Sequence, residues 1–184
     1  MAFYANLGLH LLIYSSVAVV SGATMTAWLL LVGVLFVWIS VNDFLTWKIP
    51  DPASGLLVLV AAFGVAEIVL RDRNWAAVAD QLLGAVVWPL LFLLVARTYR
   101  AWRGFTGLGM GDVKLMIGIG LLCGGSRTVY VVLAAATSAA IAILAFAALK
   151  RPSDIGPDRS VLQVAAPLGP FLCLSAWVVL LSGS

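Results

Sequence analysis

Ionisable groups inside apolar sequence are the first places to look for chemistry. A charge at the centre of a membrane helix costs roughly 2.5–3.5 kcal/mol on insertion scales, and the groups that stay there mark function by default. Two carboxylates stand out in this way, Asp43 and Asp112. Asp112 follows Gly109-Met110-Gly111 and opens the run VKLMIGIGLLC (113–123), whose single charge is Lys114. Asp43 closes another apolar run, next to Asn42. Two neighbouring carboxylates cannot both ionise cheaply, so they share a proton. One then acts as general base on a water while the other donates to a carbonyl oxygen, which hydrolyses an amide without a covalent intermediate. Gly109 and Gly111 suit such chemistry, because without Cβ atoms the turn bends sharply and lets a substrate backbone lie close to Asp112. On spacing alone three roles stay open for the pair: a hydrolytic dyad, a structural or topological role (an ion pair with the nearby Lys48 or Lys114 among them), or a proton or ion relay.

The other polar groups have local explanations. Glu67 stands four residues before Arg71 and can pair with it on one helix face. Asp51, Asp72, Asp80, Asp154 and Asp158 lie in or beside polar turns. His10, the sole histidine, has no partner on its own segment and reads as packed or interfacial. Cys123 and Cys173 are isolated within apolar runs, without a C-x-x-C, and read as small buried side chains rather than zinc ligands. G-x-S-x-G, H-E-x-x-H and P-loop patterns are absent, so no metal and no cofactor is expected.

The elements that must position the pair are apolar. The 184 residues are 63% hydrophobic and only 10% charged, with a mean hydropathy of +1.10. A soluble domain of this size could not bury that much apolar surface. A membrane-crossing helix takes about 20 apolar residues, and the chain divides into seven such runs: 4–22, 26–44, 53–71, 76–97, 112–124, 127–149 and 162–182. The expected fold is an all-α, polytopic membrane bundle occupying 1–184 as a single integral domain. No Lys or Arg precedes the first run, so it lacks the charged region of a cleaved signal peptide and reads as a retained span. Two prolines in the link LTWKIPDP (45–52) stop the second helix, and Pro89 is expected to kink the fourth. The fifth run gives only about 20 Å of helix, with Gly118, Gly120, Gly124 and Gly125 offering small faces for close helix approach. Pro167-Leu168-Gly169-Pro170 fits an entry turn to the last span.

The net charge of +3 and pI near 9.1 follow from arginines in loops, and nucleic acid is not an expected partner. Arg97, Arg100 and Arg103 recur every three residues among Tyr99, Trp102 and Phe105, the pattern of a short interfacial helix at the loop 98–112, anchored to lipid headgroups or else acting directly on substrate. With the N-terminus inside, the inner links hold eight basic residues (Lys48, Arg97, Arg100, Arg103, Lys114, Lys150, Arg151, Arg159) and the outer turns three (Arg71, Arg73, Arg127). The positive-inside rule favours that orientation. It brings Asp43 and Asp112 to one depth on the cytoplasmic side.

Three motifs in order, Asp43 with Lys48-Ile49-Pro50-Asp51, then Gly109-Met110-Gly111-Asp112-Val113-Lys114-Leu115, then Pro167-Leu168-Gly169-Pro170-Phe171-Leu172, resemble those of the type IV prepilin peptidases. These are membrane aspartic proteases of the G-x-G-D class. The resemblance covers about 26–182 as a six-helix core, with 4–22 as an extra N-terminal span. It implies that Asp43 and Asp112 are the catalytic pair, with Gly109, Gly111 and Lys114 in the active-site loop. Lys48, Ile49, Pro50, Pro167, Gly169 and Pro170 are implied as substrate-side or supporting residues. It further implies a prepilin or pseudopilin substrate, cleaved after a glycine between a basic cytoplasmic leader and an apolar stalk, at the bacterial inner membrane. Asp51 stands where the family often has Asn. The cysteine-bearing cytoplasmic domain that larger members use for N-methylation is not in this sequence, so the resemblance is to short, peptidase-only forms such as those of tight-adherence (Flp-type) pili. The rival reading is a small proton-coupled carrier using the same aspartates as relays, which would favour mid-membrane sites on two related halves; no internal repeat is visible. Membrane lipid is the other expected partner, and the oligomeric state is not legible.

Overall fold

The computed structural model describes residues 2–21, 27–104, 108–149 and 167–182. Among these residues all regular structure is helical, as the apolar runs require. The elements are α1 (Ala2–Ser21), α2 (Ala27–Thr46), α3 (Asp51–Glu67) with a π-helical turn (Ile68–Asp72), α4 (Trp75–Arg103), α5 (Met110–Leu149) and α6 (Gly169–Leu181). Four helical stretches are individually long and apolar enough to cross a membrane: Ala27–Thr46, Asp51–Asp72, Trp75–Arg103 and Met110–Ala145. Over the described residues the chain is an all-helical membrane protein.

Local chemistry sets the boundaries. α2 ends as Trp47 turns to φ +57° while its N–H still reaches back to Asp43 O at 2.9 Å. The chain then runs extended through Pro50 (φ −68°, ψ 124°), and Pro52 sits in the first turn of α3, where its missing N–H costs nothing. α3 closes in a wider turn, with the Arg73 N–H donating to Ile68 O at 2.9 Å. Asn74 then caps α4, its side-chain oxygen accepting from the Ala77 N–H at 3.1 Å.

One boundary differs from the sequence reading. α4 does not stop at 97, and Arg97, Arg100 and Arg103 do not form a separate interfacial helix; one helix runs through Pro89 to Arg103. Nothing in the stretch breaks a helix until Gly104, which takes φ +78° and donates its N–H to Arg100 O. At 29 residues α4 is about 43 Å long, so its arginine-bearing last turns overhang an apolar layer of roughly 30 Å. The runs 112–124 and 127–149 meet within α5 at Gly124 (φ 80°, ψ 165°), a conformation open to glycine that divides it into two helices, as the sequence leads one to expect. Phe105, the loop 150–160 and the start of the last run (162–166) lie outside the described residues.

Helices in lipid gain little from apolarity alone, so close packing and hydrogen bonds must hold the bundle. α2 is its centre, with 56% of its apolar window buried against 17–28% for the other three long spans. Gly84 of α4 meets Gly120 and Gly124–Gly125 of α5, where an added Cβ would lie 2.7 Å from the Gly125 nitrogen. The Trp177 ring of α6 packs on Gly33 and edge-on to Phe36, with centroids 6.4 Å apart. Its indole N–H donates to Tyr14 O at 3.0 Å, and the Tyr14 hydroxyl bonds Ser40 Oγ at 2.9 Å. α1 is thereby pinned across α2 and α6. His10 is buried and bonded to Asn6 O, and both cysteines are buried and free. Leu59, Phe63, Leu90, Leu94 and Leu144 point outward, where lipid would cover them.

Candidate active site

Asp43 extends the buried stripe of α2. Leu29, Val32, Phe36, Ile39 and Asp43 recur at three- and four-residue steps, so the helix period that packs the core also carries the carboxylate inward. It is 6% exposed, and its Oδ2 accepts the Gly169 N–H at 2.9 Å. Asp112 begins the matching stripe of α5, followed by Leu115, Met116 and Ile119, and is 9% exposed. Here the turn is reciprocal: Asp112 N–H donates to Gly109 O at 3.2 Å, and Gly109 N–H donates to Asp112 Oδ2 at 3.2 Å. The first glycine of the motif thus holds the carboxylate before any substrate is considered.

Both aspartates line one open cavity of about 540 Å³, together with Trp47, Lys48, Ile49, Pro50, Asp51, Gly109, Met110, Gly111 and Lys114. Residues from the end of α2, the link before α3 and the start of α5 converge there, at one end of the bundle. Lys114 does not pair with Asp112; its ammonium bonds Asp51 Oδ1 at 2.7 Å across the cleft mouth. Among the described residues neither Asp43 nor Asp112 forms an ion pair.

Several sequence expectations change in detail. Asp51 belongs to the cleft wall rather than to a bland turn, because the start of α3 faces the start of α5. Gly111 is pressed on protein: a Cβ there would lie 3.0 Å from Ile49 Cβ. Pro167 and Pro170 do not line the cavity, whereas Gly169 reaches the site through its amide. Trp47 and Met110, exposed to 57% and 58% on the cleft rim, were not singled out. Their positions, directly before Lys48-Ile49-Pro50 and between Gly109 and Gly111, are the signal that would have found them.

Chemically, the site offers two carboxyl groups facing one water-accessible cleft, each held at one oxygen by a glycine amide. Such a pair can take a proton from water and give one to a carbonyl oxygen. Among the described residues no cluster of three or more His, Cys, Asp or Glu is placed to hold a metal. The profile of the type IV leader peptidase family matches residues 28–145, from the first turn of α2 well into the second half of α5. That stretch contains both aspartates and every residue lining the cleft. No curated protein and no solved structure matches the chain.

Proposed function

The chain belongs to the type IV leader peptidase family, and on that footing we propose that Asp43 and Asp112 are the catalytic dyad of an aspartic endopeptidase that removes leaders from prepilins or pseudopilins. One carboxylate takes a proton from a water held between the pair, and the resulting hydroxide attacks the scissile carbonyl carbon. The other carboxyl gives its proton to the carbonyl oxygen. Collapse of the gem-diol breaks the C–N bond: the amine leaves with the proton first taken from water, one gem-diol hydroxyl returns its proton to the carboxylate that had donated, and the pair is back in its starting state. The observation that carries this reading is the shared cleft: two buried carboxylates, 69 residues apart in sequence, open on one cavity, and among the described residues neither is ion-paired.

The excess of basic residues at the inner links supports a cytoplasmic site, where a basic leader would meet the carboxylates of Asp43, Asp51 and Asp112. Lys48, Ile49 and Pro50 form the wall against which the cleaved segment would lie. A proton-coupled carrier fits less well, since such carriers hold their ions near the bilayer midplane, whereas Asp43 is in the last turn of α2 and Asp112 in the first turn of α5. Co-expression with a pilin precursor tests the proposal. Leader removal is expected to vanish in both Asp43→Asn and Asp112→Asn while each protein accumulates in the membrane. Normal processing by either variant would end the dyad reading.

A further inference from the structure

We propose that the backbone N–H of Gly169 is a positioning group for the reaction: it fixes Asp43 Oδ2 and so turns Oδ1 toward Asp112 and the cleft. This rests on the peptidase reading above and adds to it a contribution from outside the matched region 28–145.

The contact is buried, 2.9 Å long, and joins residues 126 apart in sequence. Gly169 is the first residue of α6, so its amide has no acceptor within the helix, and the Asp43 carboxylate takes that place. Space at the contact is as restrictive as the bond. A Cβ on Gly169 would lie 2.6 Å from Asp43 Oδ2 and 3.1 Å from Cγ, so a side chain there and the carboxylate in its present place exclude each other. The arrangement has a counterpart across the cleft, where the Gly109 N–H holds Asp112 Oδ2. Each carboxylate is therefore tethered through Oδ2, and among the described residues no other hydrogen bond is made to either.

The chemical consequence concerns which oxygen works. An amide N–H favours the unprotonated form of the oxygen that accepts it, so the shared proton and the water fall preferentially to the two Oδ1 atoms. Rotation of a carboxylate about its last side-chain bond is soft, and without the tether Asp43 would present either oxygen, or neither, to the water. What holds the amide in place is the docking of α6 on α2, through Trp177 against Gly33 and Phe36. The Pro167–Pro170 motif thereby gains a definite role, delivering one N–H to a carboxylate.

Gly169 does not line the cavity, so its loss should act on turnover and spare binding. The test replaces Gly169 by glycolic acid, which turns the amide into an ester and removes the N–H with no added atoms, beside Gly169→Ala, which keeps the N–H and adds the clash. Purified full-length protein is assayed on a leader-bearing pilin precursor in detergent or vesicles. For the ester, kcat is expected to fall roughly 10- to 100-fold, as for a lost hydrogen bond to a charged group, with KM within about twofold of the parent. Gly169→Ala is expected to lose at least as much turnover. Gly55→Ala, whose Cβ meets open space, should keep the parent rate. An ester variant turning over at the parent rate, in a protein that Asp43→Asn inactivates, overturns the positioning role alone. So does an ester whose loss appears wholly in KM. If Asp43→Asn itself cleaves normally, the peptidase reading falls and takes this role with it.

Discussion

At the residue scale the two glycines before Asp112 have separate tasks. Gly109 supplies an amide to the carboxylate, while Gly111 makes room for Ile49, whose Cβ would stand 3.0 Å from an added Cβ. The sequence reading assigned both to backbone approach by substrate. Gly111→Val is expected to abolish leader cleavage and lower stability by about 1–3 kcal/mol, the range for overpacked sites. The added Ile49→Ala should recover much of that stability, a coupling that denaturation of the two single variants and the double variant in detergent would measure. Strict additivity would return Gly111 to a role toward substrate alone. Ile49 was named from the sequence, but its contact with Gly111 was not, because nothing in the spacing tells which residue will lie across a cleft.

At the element scale, glycine contacts and hydrogen bonds decide where helices sit. Gly84 and Gly120 bring α4 and α5 together so closely that a side chain at either would strike backbone, which cannot rotate away. Gly120→Val is therefore expected to lower accumulation in the membrane sharply, while Gly55→Ala leaves it unchanged; immunoblots of membrane fractions would compare them. The G-x-x-x-G at 120–124 announced a close approach, but Gly84, its partner on α4, carried no comparable signal. The Lys114–Asp51 bond joins α5 to α3 at the cleft mouth, with the two side chains 49% and 71% exposed. Solvent and salt weaken such a pair, so Lys114→Met should cost less than about 1 kcal/mol. That difference should shrink further at 1 M salt; a large, salt-insensitive loss would mean the lysine does more than bridge.

At the scale of the whole molecule, the bundle is asymmetric. One end carries the cleft and, on α4, the exposed arginines 97, 100 and 103; the other carries Arg71, Asp72 and Arg73. With the cleft facing the cytoplasm, a membrane-impermeant maleimide on intact cells should label Asp72→Cys and leave Trp102→Cys unlabelled until lysis. Cys123 and Cys173 are buried and should not interfere. The reverse pattern would put the aspartates on the wrong side of the membrane for a cytoplasmic leader.

Composition and period were enough to establish a helical membrane bundle and to single out Asp43 and Asp112, because in lipid a helix satisfies its own backbone within an apolar run and each ionisable group in such a run is an exception. Local chemistry also located the α2–α3 link at its prolines and the interruption of α5 among its glycines. Where contacts between distant segments decide the outcome, the chain alone was silent. That Lys114 meets Asp51, that Ile49 fills the space left by Gly111, and that the amide of Gly169 holds Asp43 all depend on how finished helices dock. Docking in lipid is governed by shape and individual hydrogen bonds between surfaces, and a linear pattern of apolar residues records neither.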